Sequence, residues 1–167
     1  SYGPLFSLLG HIVAVVTGSE SWGTITSTDA AFAARHYVVV AFSLLGVAAA
    51  GWGVSLVTRS RRWGLATSAL LMSIPMWTGS AIFNVKDIPI AAGFTLFTSG
   101  CIALSLPAAW STRRRQVEGL VALYVGALIL WGVRPGTWVA IALGFAAMLL
   151  IRLRFANFAH PWATVKT

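Results

Sequence analysis

The sequence predicts an all-α integral membrane protein with about five transmembrane or re-entrant helices, and three observations predict it. Of its 167 residues, 57% are apolar and only 10% charged, with a mean hydropathy of +0.80. A soluble domain carries about 25% charged residues, and a single core of this size cannot hide so much apolar surface, so the solvent must include lipid. Apolar runs then recur at the length a bilayer demands, roughly 17–25 residues. Finally, the basic residues fall at every second junction between those runs.

The runs are Tyr37 to Val57, Trp63 to Phe83, Ile88 to about Trp110, Val117 to Val133 and Thr137 to Ile151. The last is short for a full crossing and reads equally as a re-entrant arm. Clusters Arg59/Arg61/Arg62, Arg113/Arg114/Arg115 and Arg152/Arg154 alternate with the nearly neutral Lys86-Asp87 turn and the single Arg134. Lys and Arg mark cytoplasmic loops, so the three clusters are expected in the cytoplasm. Residues 1–36, the 84–88 turn and Arg134 are then expected on the outer face of the cytoplasmic membrane. The net charge of +8 is thereby explained as topology, and nucleic acid is excluded as the partner it would otherwise suggest.

Within residues 1–36, Leu5 to Val16 is apolar but too short to cross, and is expected to lie along the interface. Thr28-Asp29 offers an N-cap for a helix over Ala30 to His36 that leads into the first span. Residues 155–167 read as an interfacial tail. The eight tryptophans, among them Trp22, Trp63, Trp77, Trp110, Trp131 and Trp138, are expected near span ends as an aromatic belt. Cys101 is the single cysteine, which excludes an intrachain disulfide and a cysteine metal site.

In so apolar a chain the few ionisable groups on the outer face carry the information. Asn84, Lys86 and Asp87 form a polar turn, with Pro89 just inside the next helix, where its missing N–H costs nothing. Two readings stay open: a Lys–Asp pair capping a hairpin, or a lysine presented to a phosphate while the aspartate orients it or holds a divalent cation. Arg35 and His36 stand where the outer loop meets the first span, and either snorkel to headgroups or bind there. Arg134, between two short apolar arms and before Pro135-Gly136, suits bidentate recognition of a phosphate at the membrane surface. His11 and His160 read as packed or interfacial. Glu20 and Asp29 are the acids of the outer loop. No spacing of His, Cys, Asp and Glu resembles a metal site, and no phosphate-binding glycine loop or catalytic triad is present.

Four stretches in order are Tyr2-Gly3-Pro4-Leu5-Phe6, Ala34-Arg35-His36-Tyr37, Phe83-Asn84-Val85-Lys86-Asp87-Ile88-Pro89 and Val133-Arg134-Pro135-Gly136. Together they resemble the GT-C fold membrane glycosyltransferases of bacteria, the family 39-like or dolichyl-phosphate-mannose-mannosyltransferase-like group, and the composition resembles that of actinobacterial members. The turn at Asn84–Pro89 is the most specific element. The resemblance implies transfer of a sugar from a polyprenyl-phosphate carrier at the outer face, in assembly of cell-envelope glycan or glycoprotein. It implies that Tyr2, Arg35, His36, Asn84, Lys86 and Arg134 contact the lipid phosphate or substrate, with Asp87 lining the catalytic cavity. In this family an acidic residue just before the stretch matching Tyr2-Gly3-Pro4 serves catalysis, which here falls upstream of Ser1. The resemblance thus implies a piece of a longer chain or a short relative. The alternatives are a non-enzymatic membrane subunit that scaffolds a protein partner, and a small transporter. The transporter is the least supported, because no ionisable residue falls mid-way along the first three spans.

Overall fold

The computed structural model describes residues 4–21, 29–106 and 112–159, and among them every regular element is helical. In chain order these are α1 (Pro4–Val16), α2 (Asp29–Thr58), α3 (Arg61–Ser73), α4 (Pro75–Phe83), α5 (Asp87–Ser105), α6 (Arg113–Val133), a 3₁₀ turn at Pro135–Thr137 and α7 (Trp138–Ala159). Four stretches are long and apolar enough to cross a membrane: Phe32–Thr58, Asp87–Ser105, Arg113–Val133 and Pro135–Arg154. A fifth is reached if α3 and α4 together count as one broken span.

That break corrects the sequence reading of one continuous run from Trp63 to Phe83. The two helices meet at Ile74 with a bend of 68°. Pro75 has no N–H to donate, and it forces the preceding residue out of the helical region; Ile74 is extended, with ψ 115°. The interrupted turn is patched locally. Ile74 N–H donates to the Leu71 carbonyl at 3.3 Å, and the Ser73 hydroxyl donates to that of Leu70 at 2.7 Å. At about 1.5 Å per residue, neither the 13 residues of α3 nor the 9 of α4 reach across a hydrocarbon layer about 30 Å thick.

The other differences lie at helix ends. The helix of the first span, α2, begins at Asp29, where Thr28-Asp29 predicts a start, but continues without interruption into the span. The fourth begins at Arg113 rather than Val117, with Thr112 as N-cap accepting a hydrogen bond from the Arg115 N–H at 3.3 Å. The helix of the fifth span, α7, is 22 residues long and runs through Arg152 and Arg154, since arginine is a good helix former. It therefore takes in part of the expected tail. The third ends at Ser105, and residues 107–111, with Trp110, lie outside the described residues, as does Trp22.

Close contacts at small residues fix the helix directions. A β-carbon on Gly126 of α6 would stand 2.5 Å from the Phe97 nitrogen of α5, and one on Gly100 would stand 2.5 Å from the Leu123 nitrogen. Residue numbers rise along one helix as they fall along the other, so α5 and α6 are antiparallel and their backbones touch, the packing that small residues permit within membranes. Gly64 of α3 abuts Gly51 of α2 in the same way, and the Ser68 hydroxyl donates to the Val47 carbonyl at 3.2 Å, so these two are also antiparallel. Helices α2 and α5 run parallel, Gly46 lying against Ala92 and the buried Ser99 hydroxyl donating to the Ala49 carbonyl at 2.8 Å.

One core joins Phe6 of α1, Val39 and Phe42 of α2, Ile88 and Ala92 of α5 and Ile129 of α6. A second joins Phe97, Leu123, Leu130 and Met148, through which α7 docks. Trp77, expected at a span end, instead packs on Gly46 half-way along α2. The apolar stretch of α7 is only 11% buried, against 50% for those of α2 and α5, which makes α7 peripheral. Leu65, Met76, Tyr124, Leu143 and Leu150 are exposed, which is compatible with a multi-pass membrane protein.

Candidate functional site

Among the described residues, these directions assign the charged side chains of the long helices to one end of the bundle or the other. The starts of α2, α5 and α7 and the ends of α4 and α6 share one end; the end of α2 and the starts of α3 and α6 share the other. The first end carries Arg35, His36, Asn84, Lys86, Asp87 and Arg134. Helix α1 lies across it: a β-carbon on Gly132, near the end of α6, would meet Leu5, and one on Gly10 would stand 3.2 Å from the Arg35 Cγ. Four sequence stretches far apart in the chain thereby approach a single surface, except that Tyr2 lies outside the described residues.

Asn84 organises the turn. Its backbone N–H closes α4 on the Ser80 carbonyl at 2.8 Å. Its side-chain oxygen accepts from the Lys86 and Asp87 N–H groups at 3.2 and 2.9 Å, and its Nδ2 donates to Asp87 Oδ2 at 2.8 Å. The Asn84 side chain thus forms an Asx-type turn leading into α5, with Asp87 in the first turn of α5, where a negative charge meets the positive end of the helix dipole. Asp87 is thus oriented by Asn84, and both Lys86 and Asp87 are exposed.

His36 donates from Nδ1 to the Ile82 carbonyl, tying the start of α2 to the end of α4, and Phe32 meets its ring edge-on at a centroid distance of 4.7 Å. Arg35 is half-buried along α1. Arg134 is exposed and ends α6; its N–H donates to the Leu130 carbonyl at 2.9 Å, and its own carbonyl accepts from both the N–H and the hydroxyl of Thr137 at 3.0 and 2.9 Å. The Arg134 backbone is thereby fixed on both sides while its guanidinium stands at the surface.

Sequence reading missed one ion pair. His11 Nδ1 and Glu20 Oε2 are 2.8 Å apart, and the Glu20 side chain is 3% exposed. The signal was Gly18, whose φ of 74° ends α1 in the left-handed conformation that favours glycine and folds the chain back. Ser19 and Glu20 N–H both donate to the Ala14 carbonyl, at 2.8 and 3.1 Å. Glu20 is therefore turned onto α1. His160 lies outside the described residues. Among the described residues no three His, Cys, Asp or Glu side chains gather where they could hold a metal ion, and a cation at this turn would have Asp87 as its carboxylate.

Fold and site together define a class: an all-helical bundle with four or five helices long and apolar enough to cross a membrane, and a polar end where Arg35, Lys86 and Arg134 stand with the acids Glu20, Asp29 and Asp87. Comparison with protein-family models, curated proteins and solved structures gave no match for this chain.

Proposed function

We propose that the chain is part of a glycosyltransferase that uses a polyprenyl-phosphate-linked sugar at the outer face of the cytoplasmic membrane. One observation supports the reading above the rest. The stretches that resemble the GT-C enzymes approach the same end of the bundle, although the Arg35-His36 and Arg134-Pro135 pairs belong to helices distant in sequence. A polyprenyl tail stays in lipid and holds its phosphate at the interface, where Arg134 offers a fork for two phosphate oxygens and Lys86 a point charge. Cationic groups there stabilise the phosphate as it leaves the sugar. Asp87 has one oxygen held by Asn84 and is exposed, and in this reading its other oxygen receives an acceptor hydroxyl.

The test is binding of a short polyprenyl phosphate to the purified protein in nanodiscs. Arg134→Ala should raise the dissociation constant roughly 30- to 150-fold, the equivalent of about 2–3 kcal/mol for a lost charge-assisted contact. Arg134→Lys keeps the charge without the fork and should fall between. Equal affinity in all three proteins would reduce Arg134 to a headgroup anchor and favour the scaffolding subunit.

A further inference from the structure

Helix α7 is held mainly against α5. Where they meet, the Phe97 ring of α5 fills the space that a β-carbon on Gly144 would need, and it lies edge-on to Phe145 at a centroid distance of 5.6 Å. Both helices start at the end that holds Arg134, so they run parallel. From Phe97 and Gly144 onward a groove of about 350 Å³ lies between them, down to Leu106 and Ile151. Its walls are almost wholly apolar, with Ile102 and Leu106 on one side and Met148 and Ile151 on the other. The Ser105 hydroxyl donates to the Cys101 carbonyl at 2.7 Å, so it asks nothing of an occupant.

The size of the groove and the charges at its mouth select the occupant. From Phe97 to Ser105, α5 advances about 12 Å, most of the depth of one leaflet in a hydrocarbon layer about 30 Å thick. Spread over that length, the volume gives a cross-section of about 30 Å², too narrow for a helix about 10 Å across and suited to a single hydrocarbon chain. Along α7 the lining residues Gly144, Ala147 and Ile151 follow the helical repeat and form one stripe. Arg152 and Arg154 come just after Ile151, about 100° and 60° round the helix to either side of that stripe, and both are exposed. Among the described residues neither has an ion-pair or hydrogen-bond partner. Of the four acids in the chain, Glu20, Asp29 and Asp87 belong to the opposite end, and Glu118 is bonded to Arg114 at 2.8 Å.

We propose that this groove binds an anionic phospholipid, one acyl chain lying between α5 and α7 and the phosphate held by Arg152 and Arg154. A guanidinium grips phosphate oxygens through paired N–H groups, and its long stem carries it from the apolar surface to the headgroup level. The tendency of basic residues to stay in the cytoplasm accounts for the sign of these two arginines. It does not account for their place at the mouth of an apolar groove. A second copy of the chain fits less well. Copies in one membrane share an orientation, so packing groove to groove would set Arg152 and Arg154 beside their own counterparts with no acid between them. The groove opens at the other end of α7 from Arg134, so this site and the proposed sugar transfer pass or fail separately.

The experiment follows retention of phosphatidylglycerol against phosphatidylcholine of equal chain length, by native mass spectrometry of the purified protein in detergent. Wild type should hold phosphatidylglycerol roughly tenfold more tightly, and Arg152→Gln combined with Arg154→Gln should abolish that preference, as expected for loss of charge-assisted contacts. Arg61→Gln removes a charge from the same end of the bundle away from α7 and should bind as wild type. Ala147→Leu keeps every charge but fills the groove from an exposed position, and should weaken phosphatidylglycerol retention by a similar factor. Ala146→Leu makes the same change at the neighbouring exposed residue outside the groove and should leave retention intact. Melting temperature in detergent checks that the variants fold; if Ala147→Leu melts early, Thr98→Leu, exposed on the α5 wall of the groove, takes its place. Equal retention of the two lipids by wild type overturns the proposal. So does an equal loss in Arg61→Gln, which would make the effect net charge alone. Retention in the groove-filling variant that matches Ala146→Leu would mean a headgroup held without the groove. A dimer that only the groove-filling variant dissociates would give the groove to a second copy of the chain.

Discussion

At the scale of single residues, Asn84 and Asp87 divide a structural and a chemical task. Asn84 satisfies two backbone donors at the start of α5 and closes α4 as well. Its replacement by alanine should destabilise the protein by about 1 kcal/mol, the usual net worth of a lost hydrogen bond, read as a lower melting temperature in detergent. Asp87→Asn keeps the size of the side chain and removes an exposed charge, so its stability should change by less than about 1 kcal/mol. Sugar transfer by the full chain should nevertheless fall roughly 100-fold if Asp87 receives the acceptor hydroxyl. A variant that melts early but transfers normally per folded molecule would make the aspartate a cap and nothing more. Sequence alone leaves both the capping and the functional reading of this turn open, because spacing cannot say which way a carboxylate turns. The hydrogen bond from Asn84 is what separates the two carboxylate oxygens. Glu20 was hidden for the same reason: only the reversal at Gly18 brings it to His11.

At the scale of elements, the helices were legible wherever apolar length and charge agreed, and blurred where one signal stood alone. Tyr37 to Val57 falls inside α2, and Val117 to Val133 inside α6. Trp63 to Phe83 reads as one span because hydropathy averages over Pro75, whereas the backbone responds to that residue individually. Pro75→Ala restores the missing N–H, and if the proline causes the break, α3 and α4 should straighten. Spin labels at the exposed Leu65 and Ile82 would then move apart by about 4–5 Å, from the helical rise and the present bend. An unchanged distance would mean that Trp77 against Gly46 holds the bend without the proline. The contact between α5 and α6 makes a sharper demand. Gly126→Ala must push against the Phe97 backbone, which cannot rotate away, and should cost about 1–3 kcal/mol. Gly79, with nothing within 4 Å of its added carbon, is the control: alanine there should be neutral or stabilising by up to about 1 kcal/mol. Equal melting of the two variants would show that the helices separate without penalty.

At the scale of the whole molecule, the arrangement predicts sidedness. Helix directions put Lys86 and Arg134 at one end and Arg61 and Arg114 at the other, independently of any rule about charge. The arginine clusters then say which end is cytoplasmic, because translocating them is costly. The two arguments meet without sharing an assumption, so a single labelling experiment examines both. Cys101 lies one turn from the end of α5 and is replaced by alanine first, so that the introduced thiols report alone. Lys86→Cys and Arg134→Cys should react with an impermeant maleimide added outside intact cells, and Arg61→Cys and Arg114→Cys only after the membrane is opened. Labelling of Lys86→Cys and Arg114→Cys from the same side would mean that α5 and α6 do not run as two antiparallel crossings. Full inversion, with the arginines outside, would keep the bundle but move the polyprenyl-phosphate site to the cytoplasmic face and end the proposed function. Arg134 is the most exacting position, since it depends on α6 crossing completely and on the 3₁₀ turn returning the chain to the same surface. Its labelling alongside Lys86 would place both cations of the phosphate site on one face of the membrane.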